Sequence, residues 1–317
     1  MGIADLRDMA VLTDKPLSAF AGETVAIDMY QYLYRYSTVI VRYRSEEVYT
    51  SPEGENLSNI LALSKGLPML LRQNIDPIFV FDGSADSLKQ ETIADRKQTR
   101  EEAAEKMEEA AQQGDVEAMR RYRAQAQRIT KQTIKTSKKF LDLLGIPYVW
   151  APKAGEKYAA DLVREGYADA VVSDDYDSLL FGAPRTIRQY SGSGNAELMD
   201  LDQTLNELGI SQSQLVDIAL LIGTDYNEGA SGIGPKRGLK RIQKHGDIHT
   251  VLDKSDATID NVDDLRAIFL ESDSVSVDAD TELDQGRREY AKAIGHGIEL
   301  GIDESEMSKQ VSRFPGY

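Results

Sequence analysis

The sequence has no cysteine among its 317 residues and only three histidines. Without thiols there is no disulfide, no thiolate nucleophile and no zinc–cysteine centre. With so little imidazole, any bound metal has to be held by carboxylates. No apolar run approaches the roughly 20 residues that a membrane-spanning helix needs. The amino terminus, MGIADLRDMA, is charged, so it does not read as a secretory signal, and it lacks the Ser or Thr of a myristoylation site. Basic charge is also in short supply. The 37 Lys/Arg face 53 Asp/Glu, a net charge of −16. Taken alone, that argues against a polyanionic partner. Proteins adapted to high salt carry such an acidic excess, however.

The charge is unevenly spread. Between Ser84 and Lys139 there are 13 Lys/Arg against 10 Asp/Glu, a local +3 inside a chain of −16. This stretch reads as two helices broken near Gln112–Asp115, with too few large apolar residues for a core hairpin. One reading is a solvated hairpin laced with ion pairs. The other is a projecting arch whose point charges, Lys89 and Arg96 on one face among them, hold a phosphate backbone.

Acids recur at strand ends. Thr24–Tyr30, TVAIDMY, reads as a buried strand ending in Asp28, and Ile78–Phe81 as a second strand ending in Asp82-Gly83. In DAVVSDDYDSLLFG, Ala170–Val172 delivers Asp174, Asp175 and Asp177. In extended backbone Asp175 and Asp177 lie on one side. The carboxyl edge of an open α/β sheet is where ligands bind, and clustered carboxylates stay ionised cheaply only with a cation between them. Hard oxygen donors suit Mg²⁺ or Mn²⁺. Helical periodicity over Leu57–Arg72, interrupted by Pro68, predicts a crossover helix. Gln31–Arg44 reads as a half-buried helix whose tyrosines pack on the sheet, with Tyr34 near enough to Asp28 to offer a base a stacking face. Glu156 stands at the start of a helix.

Ser213–Gly223 reads as a buried helix ending in Thr224-Asp225-Tyr226. Next comes GASGIGPKRGLKR, a Gly232–Pro235 turn that opens a helix at Lys236-Arg237. Small residues and a helix amino terminus let backbone N–H groups approach a phosphate. Asp253–Asp284 reads as solvent-facing loops and short helices, and Gln310–Tyr317 as a loosely ordered tail.

With these motifs together, the chain resembles the flap endonuclease family of structure-specific 5′ nucleases. The segments carrying the likeness are AIDMYQYLYRY, FVFDGSADSLK, LLGIPYVWAPKAGE, SDDYDSLLFGAP and LIGTDYNEGASGIGPKRGLKRIQKHG, in family order across nearly the whole chain. The resemblance implies a PIN-like α/β nuclease core with a mostly parallel sheet flanked by helices. To this it adds a helical arch and a helix–two-turn–helix DNA-binding unit. The expected organisation is a nuclease region at 1–97, the arch at 98–139, a second nuclease region with the DNA-binding unit at 140–257, and an acidic region and tail at 258–317.

The implied activity is 5′-flap endonuclease and 5′–3′ exonuclease action in DNA replication and repair. Asp28, Asp82, Glu156, Asp175, Asp177 and Asp225 would hold two Mg²⁺, or Mn²⁺, roughly 4 Å apart. Lys89 and Arg96 match the pair that contacts the scissile phosphate, Tyr34 the stacking aromatic, and Gly2 the small amino-terminal residue. Arg123, Arg128 and Lys131 would meet DNA from the arch. Gly232, Gly234, Lys236 and Arg237 would hold the duplex, with a K⁺ ion. A cytoplasmic, nucleoid-associated monomer of haloarchaeal type is the corresponding expectation.

Two departures stand out. The family's Glu-x-Glu has Ala154 in its first position, flanked by Lys153 and Lys157. The sliding-clamp motif after Gln310 is degenerate, with Arg313 where the family has an aliphatic residue. Ala154 supports a second reading, a weakly active or non-catalytic paralogue that binds branched DNA. A third, a single-strand RNA nuclease on the same core, accounts for the acids but not for the duplex-binding turn.

Overall fold

The computed structural model describes residues 4–83, 90–112, 115–126, 129–191, 194–272, 275 and 283–317. Strand β1 (Leu12–Pro16) leads to β2 (Thr24–Asp28), helices α1 (Met29–Tyr43) and α2 (Ser58–Leu71), and β3 (Asp76–Phe81). Helices α3 (Gln90–Gln112), α4 (Val116–Gln125) and α5 (Lys131–Leu144) follow, then β4 (Tyr148–Trp150), α6 (Gly155–Arg164), β5 (Ala170–Val172) and the single-turn α7 (Asp177–Leu180). Strands β6 (Arg185–Arg188) and β7 (Asn195–Asp200) form a hairpin, whose turn residues 192–193 lie outside the described residues. The remainder is helical: α8 (Leu201–Leu208), α9 (Gln212–Ile222), α10 (Pro235–His245), α11 (Ile248–Asp253), α12 (Val262–Leu270), α13 (Tyr290–Glu299) and α14 (Glu304–Val311). Among the described residues no helix is long and apolar enough to cross a membrane.

The sheet runs β1-β7-β6-β5-β2-β3-β4. From β6 to β4 the strands are parallel, and β7 and β1 close one edge antiparallel. Parallel strands need cover on both faces, which explains their unbroken apolar runs. Val25, Ile27, Phe79 and Phe81 pack with α1, α2, α5, α13 and α14, and Ala26, Ile78, Val80 and Val171 with α6, α9, α10 and α12. From β2 the sheet grows to β3 and β4 on one side, and to β5 and β6 on the other. Strands β2 and β5 therefore flank the switch point at which such sheets bind ligands.

The strand in Thr24–Tyr30 does end at Asp28, as expected, and that side chain caps α1 by accepting the Gln31 N–H at 2.7 Å. Several expectations change. Pro68 does not interrupt α2. Its buried neighbours Leu67, Leu70 and Leu71 hold the helix in place, and Arg72 N donates to Pro68 O at 3.1 Å.

Among the described residues the basic segment contains three helices instead of two. Thr130 and Thr133 cap each other and start α5 afresh. Helix α5 is also a core helix despite its polar first half. Asn59 donates to the buried Thr136 and Ser137 hydroxyls at 2.9 and 2.8 Å, so hydrogen bonds tie α2 to α5 where apolar residues are scarce. Helix α4 lies along α1, and Arg123 pairs with Glu46, in the turn that follows α1, at 2.8 Å.

The acidic stretch includes α12, whose Phe269 packs on Phe181 and Tyr226 at ring-centre separations of 5.2 and 5.4 Å. The tail is not loose. Gln310 and Val311 end α14, Phe314 is buried, and the Tyr290 hydroxyl donates to Pro315 O at 2.6 Å. Gln310, which the resemblance set at the start of a clamp motif, is thus part of the core.

Candidate active site

Strand order places four acid-bearing chain ends together. Asp28 closes β2, Asp82 follows β3, Glu156 stands in the first turn of α6, and Asp175 lies in the loop after β5. Two residues that the sequence reading passed over join them. Gly155 donates its N–H to Asp82 Oδ1 at 2.5 Å. A Cβ at Gly155 would overlap Asp28 Oδ2 and stand 2.8 Å from Asp82 Oδ1, so only glycine leaves both carboxylates in place. The Gln31 side-chain amide donates to Glu156 Oε1 at 3.0 Å and to Asp175 Oδ2 at 2.7 Å. One glutamine thus donates its backbone N–H to the capping Asp28 and links two further acids through its side chain. The Tyr30 hydroxyl shares this surrounding. Burial, then the charges of Asp82 and Asp28, push its pKa up.

The loop that carries Asp175 and Asp177 is anchored through Asp174. Arg35 pairs with Asp174 Oδ2 at 2.9 Å, Gln189 N donates to Oδ1 at 2.9 Å, and Arg188 Nη2 donates to the Asp174 carbonyl at 2.6 Å. Arg188 is only 3% exposed and lies 3.7 Å from the centre of the Tyr176 ring. The backbone bends from Asp174 to Tyr176, and Asp177 opens α7 as a buried residue. Asp175 and Asp177 therefore do not sit side by side on an extended strand. The alternation argument fails because β5 ends at Val172.

Asp225 lies in the turn after α9, which is held by Thr224 Oγ1 donating to Asn227 Oδ1 at 2.8 Å. Its neighbour Tyr226 lines a cavity of about 220 Å³ with Lys153, Ala154, Lys157, Asp264 and Glu271. Ala154 thus opens onto a space that it shares with Lys153 and Lys157, and Lys157 is itself buried.

Carboxylate oxygen is the donor a hard divalent cation prefers, and Gly155 leaves room between two of the acids. Among the described residues, no three acidic or histidine side chains stand close enough to hold an ion as they are placed. The Gln31 amide takes up part of the space between Glu156 and Asp175.

Of the other expected site residues, Tyr34 is 51% exposed on α1, one turn beyond Gln31. Lys131 is exposed at the start of α5. Gly2, Lys89 and Arg128 lie outside the described residues, as does the side chain of Arg96 in α3. The Gly232–Arg237 turn is formed as read. Gly232 has φ +75°, Gly234 caps α10 with Pro235 as its first residue, and Arg237 Nη1 donates to Gly232 O at 2.9 Å. Lys236, Lys240 and Lys244 repeat every four residues on the exposed side of α10, while Ile242 packs in the core.

Acids gathered at the carboxyl edge of a PIN-like sheet, with a basic helix–turn–helix at its flank, define a nuclease core of XPG type. Residues 1–103 match the XPG N-terminal domain and residues 145–225 the XPG I-region. Flap endonuclease 1 of Haloarcula marismortui is 41% identical over 271 residues, covering 86% of this chain and 83% of its own. The solved flap endonuclease-1 from Methanococcus jannaschii superposes with a TM-score of 0.72 at 33% identity, covering 97% of this chain and 96% of that one. The catalytic core of Rad2 in complex with DNA substrate shares the fold, with a TM-score of 0.68 at 20% identity over 95% of both chains. The chain belongs to the flap endonuclease family.

Proposed function

We propose that this protein is a divalent-metal-dependent nuclease that cuts DNA at 5′ flaps, in replication and repair. The observation that carries the reading is the convergence of Asp28 and Asp82 on Gly155, and of Glu156 and Asp175 on Gln31. These four acids, with Asp177 and Asp225, would hold Mg²⁺ or Mn²⁺. Such ions, when bound, generate a hydroxide-like nucleophile and offset charge on the phosphate. Gln31 orients Glu156 and Asp175, and Gly155 orients Asp82 through its N–H. Tyr34 offers its exposed ring to a base beside the cut, and Lys89 and Arg96 would contact the scissile phosphate. Gly232, Gly234, Lys236 and Arg237 hold the duplex behind it, with K⁺ at the turn. Lys131 adds a phosphate contact. Arg123 and Arg128 were expected to do the same, and Arg123 would have to leave Glu46 to take part. The net charge of −16 fits a haloarchaeal protein working in concentrated KCl.

The direct test is a 5′-labelled flap duplex incubated in high KCl with Mg²⁺, with and without EDTA. Cleavage at the junction that EDTA abolishes is the expected result. Absence of cleavage with either Mg²⁺ or Mn²⁺ would overturn the enzymatic reading.

Ala154 and the buried Lys157 favour one alternative, a weakly active member that chiefly binds branched DNA. Ala154→Glu separates the two. The cavity of about 220 Å³ leaves room for the longer side chain. The variant is expected to reach half-maximal rate at a Mg²⁺ concentration about tenfold lower, the scale on which groups around a metal site alter its affinity. An unchanged Mg²⁺ dependence would say that the remaining acids suffice.

A further inference from the structure

The chain's one tryptophan is on the surface. Trp150 ends β4, the outermost strand on its side of the sheet, and is 48% exposed. Leaving so large an apolar ring half in water forfeits burial that a core position would gain. The ring is held in place. It stacks on the buried Phe81 with centres 5.1 Å apart and planes 30° apart. Lys138 Nζ, from α5, stands 5.1 Å from its centre. Trp150 pairs in register with Phe81, so Asp82 is the very next residue across the strand pair, and Gly83 N donates to Lys153 O at 2.9 Å. Lys131, Lys135 and Lys138 recur at helical spacing on α5, and Lys153 is exposed three residues after the indole. In a chain of net charge −16, a rigid aromatic with Lys138 against its ring and Lys153 three residues on is a local reversal. Asp142, one turn beyond Lys138, is engaged elsewhere. It bonds to the Tyr148 hydroxyl, whose pKa is pushed up to about 12, by burial first and Asp142 second.

The geometry points to Trp150 as a stacking platform for an unpaired base of the DNA strand leaving the carboxylate site, with Lys138 and Lys153 binding the flanking phosphates. Every base has a π-face, so an aromatic with nearby cations binds single strands without regard to sequence. A base inside a duplex is already stacked and cannot offer that face, so the platform selects the single-stranded part of a branched substrate. The lysine stem is flexible enough for the Lys138 ammonium to move from ring to phosphate. This inference rests on reading the chain as a nuclease of branched DNA.

Because Trp150 is the only tryptophan, its emission reports on this site alone. Metal-free protein is titrated with oligo-dT, with a blunt duplex and with a 5′-flap duplex, while fluorescein anisotropy on the DNA follows total binding. The expected result is saturable quenching by oligo-dT and by the flap, with none from the blunt duplex. Trp150→Ala should weaken flap binding about tenfold while blunt-duplex binding stays the same, and Trp150→Phe should restore most of the loss. Flap binding by anisotropy with unchanged tryptophan emission overturns the platform and leaves the nuclease reading intact. Absence of flap binding overturns the nuclease reading itself. Equal losses on flap and blunt duplex in Trp150→Ala would mark a structural role and also overturn the platform. Concentration-dependent dimerisation through β4, with no quenching by DNA, would assign the exposed indole to a second copy of the chain instead.

Discussion

Asp28→Asn is expected to lower the rate of flap cleavage by about 10²- to 10³-fold and to leave the protein folded. The magnitude is that of removing one preorganised electrostatic group from an active site. Two roles meet in this side chain, and asparagine separates them. As a cap, Asp28 accepts the Gln31 N–H at 2.7 Å, and asparagine caps about as well as aspartate. Alanine would also lose the cap, at about 1 kcal/mol, and confuse the result. As a charge, Asp28 shares the Gly155 site with Asp82, and neutralising it relieves their repulsion when no cation is bound. Single-turnover cleavage with Mg²⁺ and thermal unfolding in EDTA read the two roles apart. The variant should unfold at the wild-type temperature or slightly above it. A rate within tenfold of wild type would remove Asp28 from the catalytic set.

Arg188→Met is expected to damage activity more than stability. Buried ionic groups are often replaced by apolar ones at little cost, and Arg188 is poorly satisfied. Its Nε and Nη1 have no hydrogen-bond partner among the described residues, and Glu197 stands 3.7 Å away. Its one strong hydrogen bond goes to the Asp174 carbonyl, and its guanidinium covers the Tyr176 ring. Losing these contacts should cost about 1–2 kcal/mol of stability. The loop that they hold carries Asp175 and Asp177. Misplacement of reacting groups by about 1 Å costs on the order of 10²-fold in rate. The expected signature is a lower kcat with nearly unchanged affinity for flap DNA in EDTA. Cleavage within threefold of wild type, with clear destabilisation in urea, would show Arg188 to be structural only.

Arg188, Gln31 and Gly155 show where reading the chain alone stops. The positions of Asp28, Asp82 and Asp175 after β2, β3 and β5 were legible because each follows a short apolar run, and in a parallel sheet all such runs end at the same edge. The Gly232–Arg237 turn was legible because glycine, proline and adjacent lysines act within a few residues. Gln31 sits among helix-forming residues and gives no local sign that its amide spans from Glu156 to Asp175. Arg188 reads as one alternating residue of a strand, and nothing nearby in sequence announces Asp174 as its partner. The same holds for α5, where Asn59 reaches Thr136 and Ser137 across more than seventy residues. The tail misled for a related reason. Gln310–Tyr317 is short and polar by itself, and it is ordered by α13 packing over it.

The strands, most of the helices and the placing of acids just after apolar strands were therefore set by local pattern, since burial periodicity and turn chemistry act over a few residues. Tertiary contact alone decided which carboxylates share a neighbour, which arginine steadies their loop and how much of Trp150 remains exposed. Those contacts join residues distant along the chain, and their energies depend on a separation that exists only once the sheet and its covering helices have come together.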